Sequence, residues 1–276
     1  MLFTPHSQGV GIGDNLGAAS TTVPSADQMT AGTTFAKGAY VELEASTDQD
    51  VYGFYVGFSG SHTSGTDTSG LCDIAIGASS SEVVLVPNLL AGMAPTWTSS
   101  NNMFARGIHI PLFIPRGTRV SARWSCVTDS QTCDVGIFFN YGSNCPTPIY
   151  SGCDDIGTIT SSDASATPVL SGTATMGSWI EIPSATTTSR EYGAIGMMLM
   201  GEDDNNHGTQ GGKVEAGIGS AAIDLRQTSR SSSNESVGFG PHHALFRKIP
   251  SGTQLQARAE YSSTARDNQV AFYGYY

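Results

Sequence analysis

One turn-and-strand segment occurs twice in this chain of 276 residues. Ile114-Pro115-Arg116-Gly117-Thr118 runs into Arg119-Val120-Ser121-Ala122-Arg123, and Ile249-Pro250-Ser251-Gly252-Thr253 runs into Gln254-Leu255-Gln256-Ala257-Arg258, at an offset of 135. Earlier matches keep the same order. Gly38-Ala39-Tyr40-Val41-Glu42-Leu43 pairs with Gly177-Ser178-Trp179-Ile180-Glu181-Ile182 at offset 139. Tyr52-Gly53 pairs with Tyr192-Gly193 at 140, Ile76-Gly77 with Ile218-Gly219 at 142, and Val135 with Val270 at 135. An offset that drifts by a few residues while the order holds is what loop insertions produce in two copies of one module. The fold must therefore be one that about half the chain can build.

The period within each copy selects the fold class. Val41 and Leu43 alternate with Tyr40, Glu42 and Glu44, and no long window places apolar residues at helical spacing. Glycine and Ser/Thr clusters interrupt the text at the spacing of short strands and turns, which predicts an all-β protein of sandwich type. Each half has room for about seven or eight strands, so the expected architecture is two tandem, internally duplicated, jelly-roll-like β-sandwiches. The expected boundaries are an extended N-terminal arm over 1–35, a first sandwich over 36–145, a linker over 146–168 and a second sandwich over 169–276. Short helical turns are allowed near 87–93. In the repeated turn, Pro115 and Pro250 are expected at position i+1, with Gly117 and Gly252 at i+3. The strands that follow should bury Val120, Ala122 and Trp124, and Leu255, Ala257 and Ala259. Arg119, Ser121 and Arg123 should face away, as should Gln254, Gln256 and Arg258.

Charge narrows the partners. Only 13% of residues are charged, against about 25% in an average soluble domain, and the formal net charge is −11. Nonspecific nucleic-acid binding needs clustered Lys and Arg, so it is not expected; Arg116, Arg119 and Arg123 read as a solvated strand edge. No apolar run reaches the roughly 20 residues of a membrane span, and the opening residues lack the charged and apolar regions of a secretory signal. Cys72, Cys126, Cys133, Cys145 and Cys153 are expected as thiols, with a Cys145–Cys153 clip as the alternative.

No catalytic constellation meets its geometric requirement. Ser59, His62 and Asp67 lie too close in sequence to fix a triad, and no nucleophile elbow surrounds them. Glu202, Asp203, Asp204 and His207 form an acidic loop without an EF-hand pattern. Glu42 and Glu181 are the polar faces of equivalent strands in different modules, not a glycosidase pair. His242-His243 reads as a loop pair. Neither a metal nor a cofactor is expected, and no enzymatic activity. Trp97 and Phe104, in and just after Ala94-Pro95-Thr96-Trp97-Thr98, are candidates for a ligand or partner contact, and the tyrosines of the Phe272-Tyr273-Gly274-Tyr275-Tyr276 end add to them.

The runs Ser81-Glu82-Val83-Val84-Leu85-Val86-Pro87-Asn88-Leu89-Leu90 and His109-Ile110-Pro111-Leu112-Phe113-Ile114-Pro115-Arg116-Gly117-Thr118 resemble a structural protein family of tailed bacteriophages. That resemblance implies a non-enzymatic virion protein assembled in the bacterial host cytoplasm. It would be a capsid decoration or cement protein or a tail-associated subunit. Its partners would be copies of itself, with a trimer favoured, and other virion proteins such as the major capsid or tail proteins. The alternative expectation is a glycan- or receptor-binding module of a tail fibre or vertex.

Overall fold

The computed structural model describes residues 17–20, 23–25, 27–60, 70–91, 108–141, 148–161, 165–183, 187–201, 212–219, 223–231, 246–261 and 267–276. Among them every regular element is a strand. The first ten are β1 (Gly17–Ser20), β2 (Val23–Ser25), β3 (Asp27–Thr30), β4 (Val41–Glu44), β5 (Val51–Gly60), β6 (Gly70–Ile76), β7 (Val83–Ala91), β8 (Ile108–Ile114), β9 (Val120–Cys126) and β10 (Thr132–Phe139). The others are β11 (Cys153–Ile156), β12 (Thr158–Ile159), β13 (Ser165–Thr173), β14 (Ile180–Ile182), β15 (Ala194–Gly201), β16 (Gly212–Ile218), β17 (Ile223–Ser231), β18 (Leu255–Tyr261) and β19 (Asp267–Tyr275).

The first half is a sandwich of two antiparallel four-stranded sheets. Sheet 1 has the order β3-β10-β5-β8 and sheet 2 the order β4-β9-β6-β7. Their facing side chains share one core, with Phe54, Val56 and Ile110 from sheet 1 against Cys72, Ile74 and Trp124 from sheet 2. Trp124 is among the largest fully buried side chains, and its truncation to alanine would cost about 3–5 kcal/mol.

The second half is one nine-stranded sheet that divides into two ladders. In sheet 3, β19 has β15 on one side and β11 then β13 on the other. In sheet 4, β18 has β16 on one side and β14 then β13 on the other, and β17 lies beyond β16. β13 joins them, antiparallel to β19 through residues 167–170 and parallel to β18 through 171–173. Ile195, Met197, Leu199, Phe272, Leu255 and Ala257 fill the core between the two ladders.

The repeated sequence positions occupy matching places. Val41 faces Ala122 as Ile180 faces Ala257, and Ile76 faces Val120 as Ile218 faces Leu255. Loop bonds match as well: Gly38 N donates to Trp124 O (2.9 Å) and Gly177 N to Ala259 O (2.8 Å), while Gly77 N donates to Arg119 O (3.1 Å) and Gly219 N to Gln254 O (2.7 Å). One expected match is displaced. Tyr52 N donates to Asn140 O and Gly193 N to Tyr275 O, both at 2.8 Å, so Tyr52 stands where Gly193 stands. Val51 and Tyr192 are then equivalent; both are buried, Val51 opposite Ile114 and Tyr192 opposite Ile249. Strand side chains alternate faces, so the shared Tyr-Gly letters misled by one position and one face. The Tyr192 ring takes core space that Phe139 fills in the first half. Gly274 makes room for it, since a Cβ there would lie 2.6 Å from the ring.

The doubled turn is held by a doubled staple. Thr47 donates from Oγ1 to Pro115 O (2.8 Å) and from N to Thr118 O (3.0 Å), and it accepts from Thr118 N at Oγ1 (3.1 Å) and from Gly117 N at O (2.8 Å). Thr188 makes the same four bonds with Pro250, Thr253 and Gly252, at 2.9, 2.9, 3.0 and 2.9 Å. Both threonines are buried. The turn is centred one residue later than expected, on Arg116-Gly117 and Ser251-Gly252, and both glycines take φ +78°. That left-handed conformation is open to glycine and costs other residues energy, which explains why it sits at a central position and not at i+3.

Other boundaries also differ from expectation. Residues 27–30 of the expected arm form β3 and pair with β10; β1 pairs with β2, and residues 1–16 lie outside the described set. Of the expected linker, β11, β12 and the start of β13 are strands of the second half. Residues 87–91 continue β7 and do not form a helical turn; Pro87 and Asn88 lie where the β6–β7 register shifts, which an edge strand tolerates. Val120, Ala122, Trp124, Leu255, Ala257 and Ala259 are buried as expected, but so are Ser121 and Gln256. These two are out of phase with the core residues of their strands, so their burial lies on the opposite face.

The halves are packed together. β7 and β8, the last strands of sheets 2 and 1, present unpaired backbone groups that need partners. The second half supplies them. Tyr273 donates from its hydroxyl to Asn88 O (2.7 Å) and accepts from Leu90 N (3.1 Å). Tyr150 N donates to Pro111 O (2.9 Å), and Phe113 N donates to Tyr150 O (3.0 Å). Asn88 Nδ2 donates to Asp155 Oδ2 (3.0 Å). Ala194, Met198, Ala271, Tyr273 and Tyr275, on the outer face of sheet 3, belong to the first sandwich's core cluster. Sheet 3 is thus buried on both faces.

Candidate functional site

Most of the residues weighed for chemistry fall in two groups. Trp97, Phe104, His62, Asp67, Glu202, Asp203, Asp204, His207, His242, His243 and Cys145 lie outside the described residues. The others are engaged in structure. Glu42 Oε2 accepts from Arg119 Nε (2.6 Å), and Arg119 Nη1 reaches Glu82 Oε1 (3.0 Å), so Arg119 is neutralised across strands. Arg116 contributes its backbone N–H to Asp50 Oδ1 (2.9 Å). Glu181 is exposed on β14, in a different sheet from Glu42. Cys72 and Cys153 are buried thiols, and burial raises both well above the usual thiol value, so neither is a ready thiolate. No group of three metal-ligating side chains occurs among the described residues, and they include no helix long and apolar enough to cross a membrane.

The densest ionic cluster lies on sheet 2. Asp73 accepts from Lys37 Nζ (2.9 Å), Arg123 Nε (3.0 Å) and Asn88 N (3.0 Å). Lys37 also donates to Leu71 O (2.8 Å). Burial holds the Lys37 ammonium below the ordinary lysine value, with Asp73 acting against the shift. The Arg123 guanidinium lies 4.5 Å from the Tyr40 ring centroid. Sheet 4 repeats the motif: Arg258 pairs with Glu215 (2.7 Å) and lies 4.4 Å from the Trp179 ring centroid. A carboxylate, an arginine and an aromatic ring therefore recur at matched positions. With three donors on Asp73, this is a structural clamp, not an acid or base awaiting a substrate.

An aromatic group stands apart from these clamps. On the outer face of sheet 1, the Tyr55 and His109 ring centroids are 4.8 Å apart, and those of Tyr52 and Phe113 are 5.5 Å apart, edge to face. Both are directly opposed cross-strand pairs of β5 and β8. Phe138 on β10 stands opposite Tyr55 and widens the group. Tyr55 is 45% exposed and Phe113 36%. The signal was partly present in the alternation: Tyr55 is out of phase with Phe54, Val56 and Phe58, and His109 and Phe113 with Ile108, Ile110, Leu112 and Ile114, whereas Tyr52 shares the phase of Phe54 and turns outward only through the register shift between them. At the chain's last residues the expectation reverses. Tyr273 and Tyr275 are buried and hold the halves together, while Tyr276 stacks under Arg190 at 3.9 Å.

Fold and site together define an all-β sandwich protein with, among the described residues, one partly exposed aromatic face. No protein-family model matches the chain, and no curated protein matches it.

Proposed function

We propose that this chain is a non-enzymatic structural subunit of a bacteriophage virion, as a capsid decoration or cement protein or a tail-associated subunit, built from two jelly-roll-like copies of one module. The observation that carries the reading is the docking of the halves. Tyr273 and Tyr150 cap β7 and β8, one edge of each sheet of the first sandwich, so the two sandwiches dock as one block. The matched threonine staples and arginine clamps support the duplication. A block with two similar sheets presents two similar surfaces, which suits closed symmetric assembly, with a trimer favoured. The charged side chains already paired within sheets reduce the desolvation cost of close subunit approach. Purifying the particle that contains the chain and counting copies tests this: hundreds mean a capsid role, and a small multiple of three or six a tail role. A chain found in no particle, and monomeric at micromolar concentration, refutes it.

A second reading, a glycan- or receptor-binding module, is favoured by the exposed rings of Tyr55 and Phe113, because aromatic faces stack on sugar rings. Retention of the monomeric chain on an oligosaccharide, lost in Tyr55→Ala, would establish it.

A further inference from the structure

We infer that the outer face of sheet 1, centred on Tyr52, Tyr55, His109 and Phe113, docks against the β17 edge of a second copy of this chain. The proposal rests on the self-assembling subunit reading and specifies its contact. The argument starts from the contact already made inside the chain. There the outer face of sheet 3 covers the side of the first sandwich where β7 ends sheet 2, and Tyr273 satisfies the β7 backbone. Sheet 1 is the counterpart of sheet 3 in the first half, since β5 and β10 hold the places of β15 and β19. β17 is likewise the counterpart of β7. Ile223 faces Ile218 as Val83 faces Ile76, and Ser231 faces Gly212 as Ala91 faces Gly70.

Each half thus has one docking face and one edge that a docking face can cover. Inside the chain one face meets one edge, the face of sheet 3 and the edge of β7. Among the described residues the face of sheet 1 and the edge of β17 are left over. The two leftover features have the character of the engaged pair. Among the described residues β17 pairs with β16 alone and is the last strand of its ladder. The sheet 1 face exposes Tyr55 and Phe113, and Phe138 stands at the position of the docking residue Tyr273. The rings are not demanded by the ladder itself, because Gly193 and Gly196 stand in the places of Tyr52 and Tyr55 in the second half. A face-to-edge contact of this kind is heterologous, so it propagates from copy to copy and closes into a ring when the rotation permits. Repeating the internal contact between chains would give successive sandwiches similar neighbours, the property a ring with twice as many modules as chains requires.

The test uses the full chain. Native mass is measured for the wild type and for Tyr55→Glu/Phe113→Glu, with circular dichroism confirming that both are folded. The expected result is a closed oligomer for the wild type and a shift to monomer for the double variant. A second double variant, Tyr55→Cys/Thr228→Cys, places a thiol on the face and one on β17 at the position matching Asn88; the expected result is an oxidised intermolecular cross-link lost in either single variant. An oligomer that survives the two glutamates overturns the assigned face and leaves the subunit reading standing. An oligomer lost to the glutamates but giving no cross-link overturns the assigned edge. A wild-type monomer that uses the same rings to hold an oligosaccharide overturns both the contact and the subunit reading.

Discussion

Replacing Tyr273 with phenylalanine isolates the hydroxyl that joins the two halves. The ring stays, so the packing around it is unchanged and no cavity opens; Phe138 already occupies the matching place in the first half. What disappears is one donated bond to Asn88 O at 2.7 Å and one accepted from Leu90 N at 3.1 Å. Leu90 is fully buried, so its N–H is left without a partner. Two bonds at about 0.5–1 kcal/mol each, with an orphaned buried donor adding about 1–2 kcal/mol, give a loss of about 2–4 kcal/mol. For a chain of this size about 2 °C of melting temperature accompanies each kcal/mol, so Tyr273→Phe should melt about 4–8 °C lower. The assay is calorimetry of the wild type, Tyr273→Phe and Tyr55→Phe, the last removing an exposed hydroxyl and expected to stay within about 0.5 kcal/mol. A Tyr273→Phe melting temperature within about 1 °C of wild type would refute the claim that this hydroxyl caps the β7 edge.

Thr188→Val and Thr47→Val should each destabilise by about 1–3 kcal/mol in urea unfolding, because each leaves Thr253 N or Thr118 N without its side-chain acceptor. The two effects should add, since the staples lie in different sandwiches and share no partner. Asp73→Asn should cost about 3 kcal/mol by leaving the Lys37 ammonium buried without its carboxylate, and Lys37→Met in the same chain should recover part of the loss. In alkali, burial raises Tyr273 and Tyr275 well above the ordinary tyrosine value and pushes Tyr192 up to about 12 from 10.0. Groups with raised folded-state pKa values hold more protons folded than unfolded. Their contribution is complete below pH 10 and falls as pH rises toward 12. Tyrosinate absorbance should therefore appear in part together with unfolding, and a smooth titration of all ten tyrosines with the fold retained would contradict the buried placement.

The alternation Val120, Ala122, Trp124 and its copy Leu255, Ala257, Ala259 was enough to place β9 and β18 with the right face inward, because a strand's two-residue period writes burial directly into the text. The repeat aligned β4 with β14 in the two halves; that β4 pairs with β9 and β14 with β18 came from the structure. The threonine staple was also written there, as Thr47 and Thr188 ahead of matched turns, but a single hydroxyl in a Ser/Thr-rich chain carries no periodic mark. The Tyr-Gly match failed by one residue because identity of letters does not encode register; Tyr192 took Val51's inward place once Gly274 gave it room.

The aromatic face was half legible: phase sets Tyr55, His109 and Phe113 opposite the core, but Tyr52 turns outward only through the register shift before Phe54, and only strand pairing brings β5 beside β8 and makes two ring pairs. By itself the sequence determined the all-β class, the order of the repeated strands and which side of each matched strand is apolar, since all three follow from local period and from comparing the chain with itself. The tertiary structure alone decided that β13 joins two ladders, that the expected linker supplies β11 and β12, and that Tyr273 and Tyr275 are buried at a junction while Tyr55 is exposed. Those outcomes depend on which outward faces meet. An outward tyrosine has the same local pattern whether water or another sheet lies beyond it, so its burial is set by contacts between residues more than a hundred positions apart.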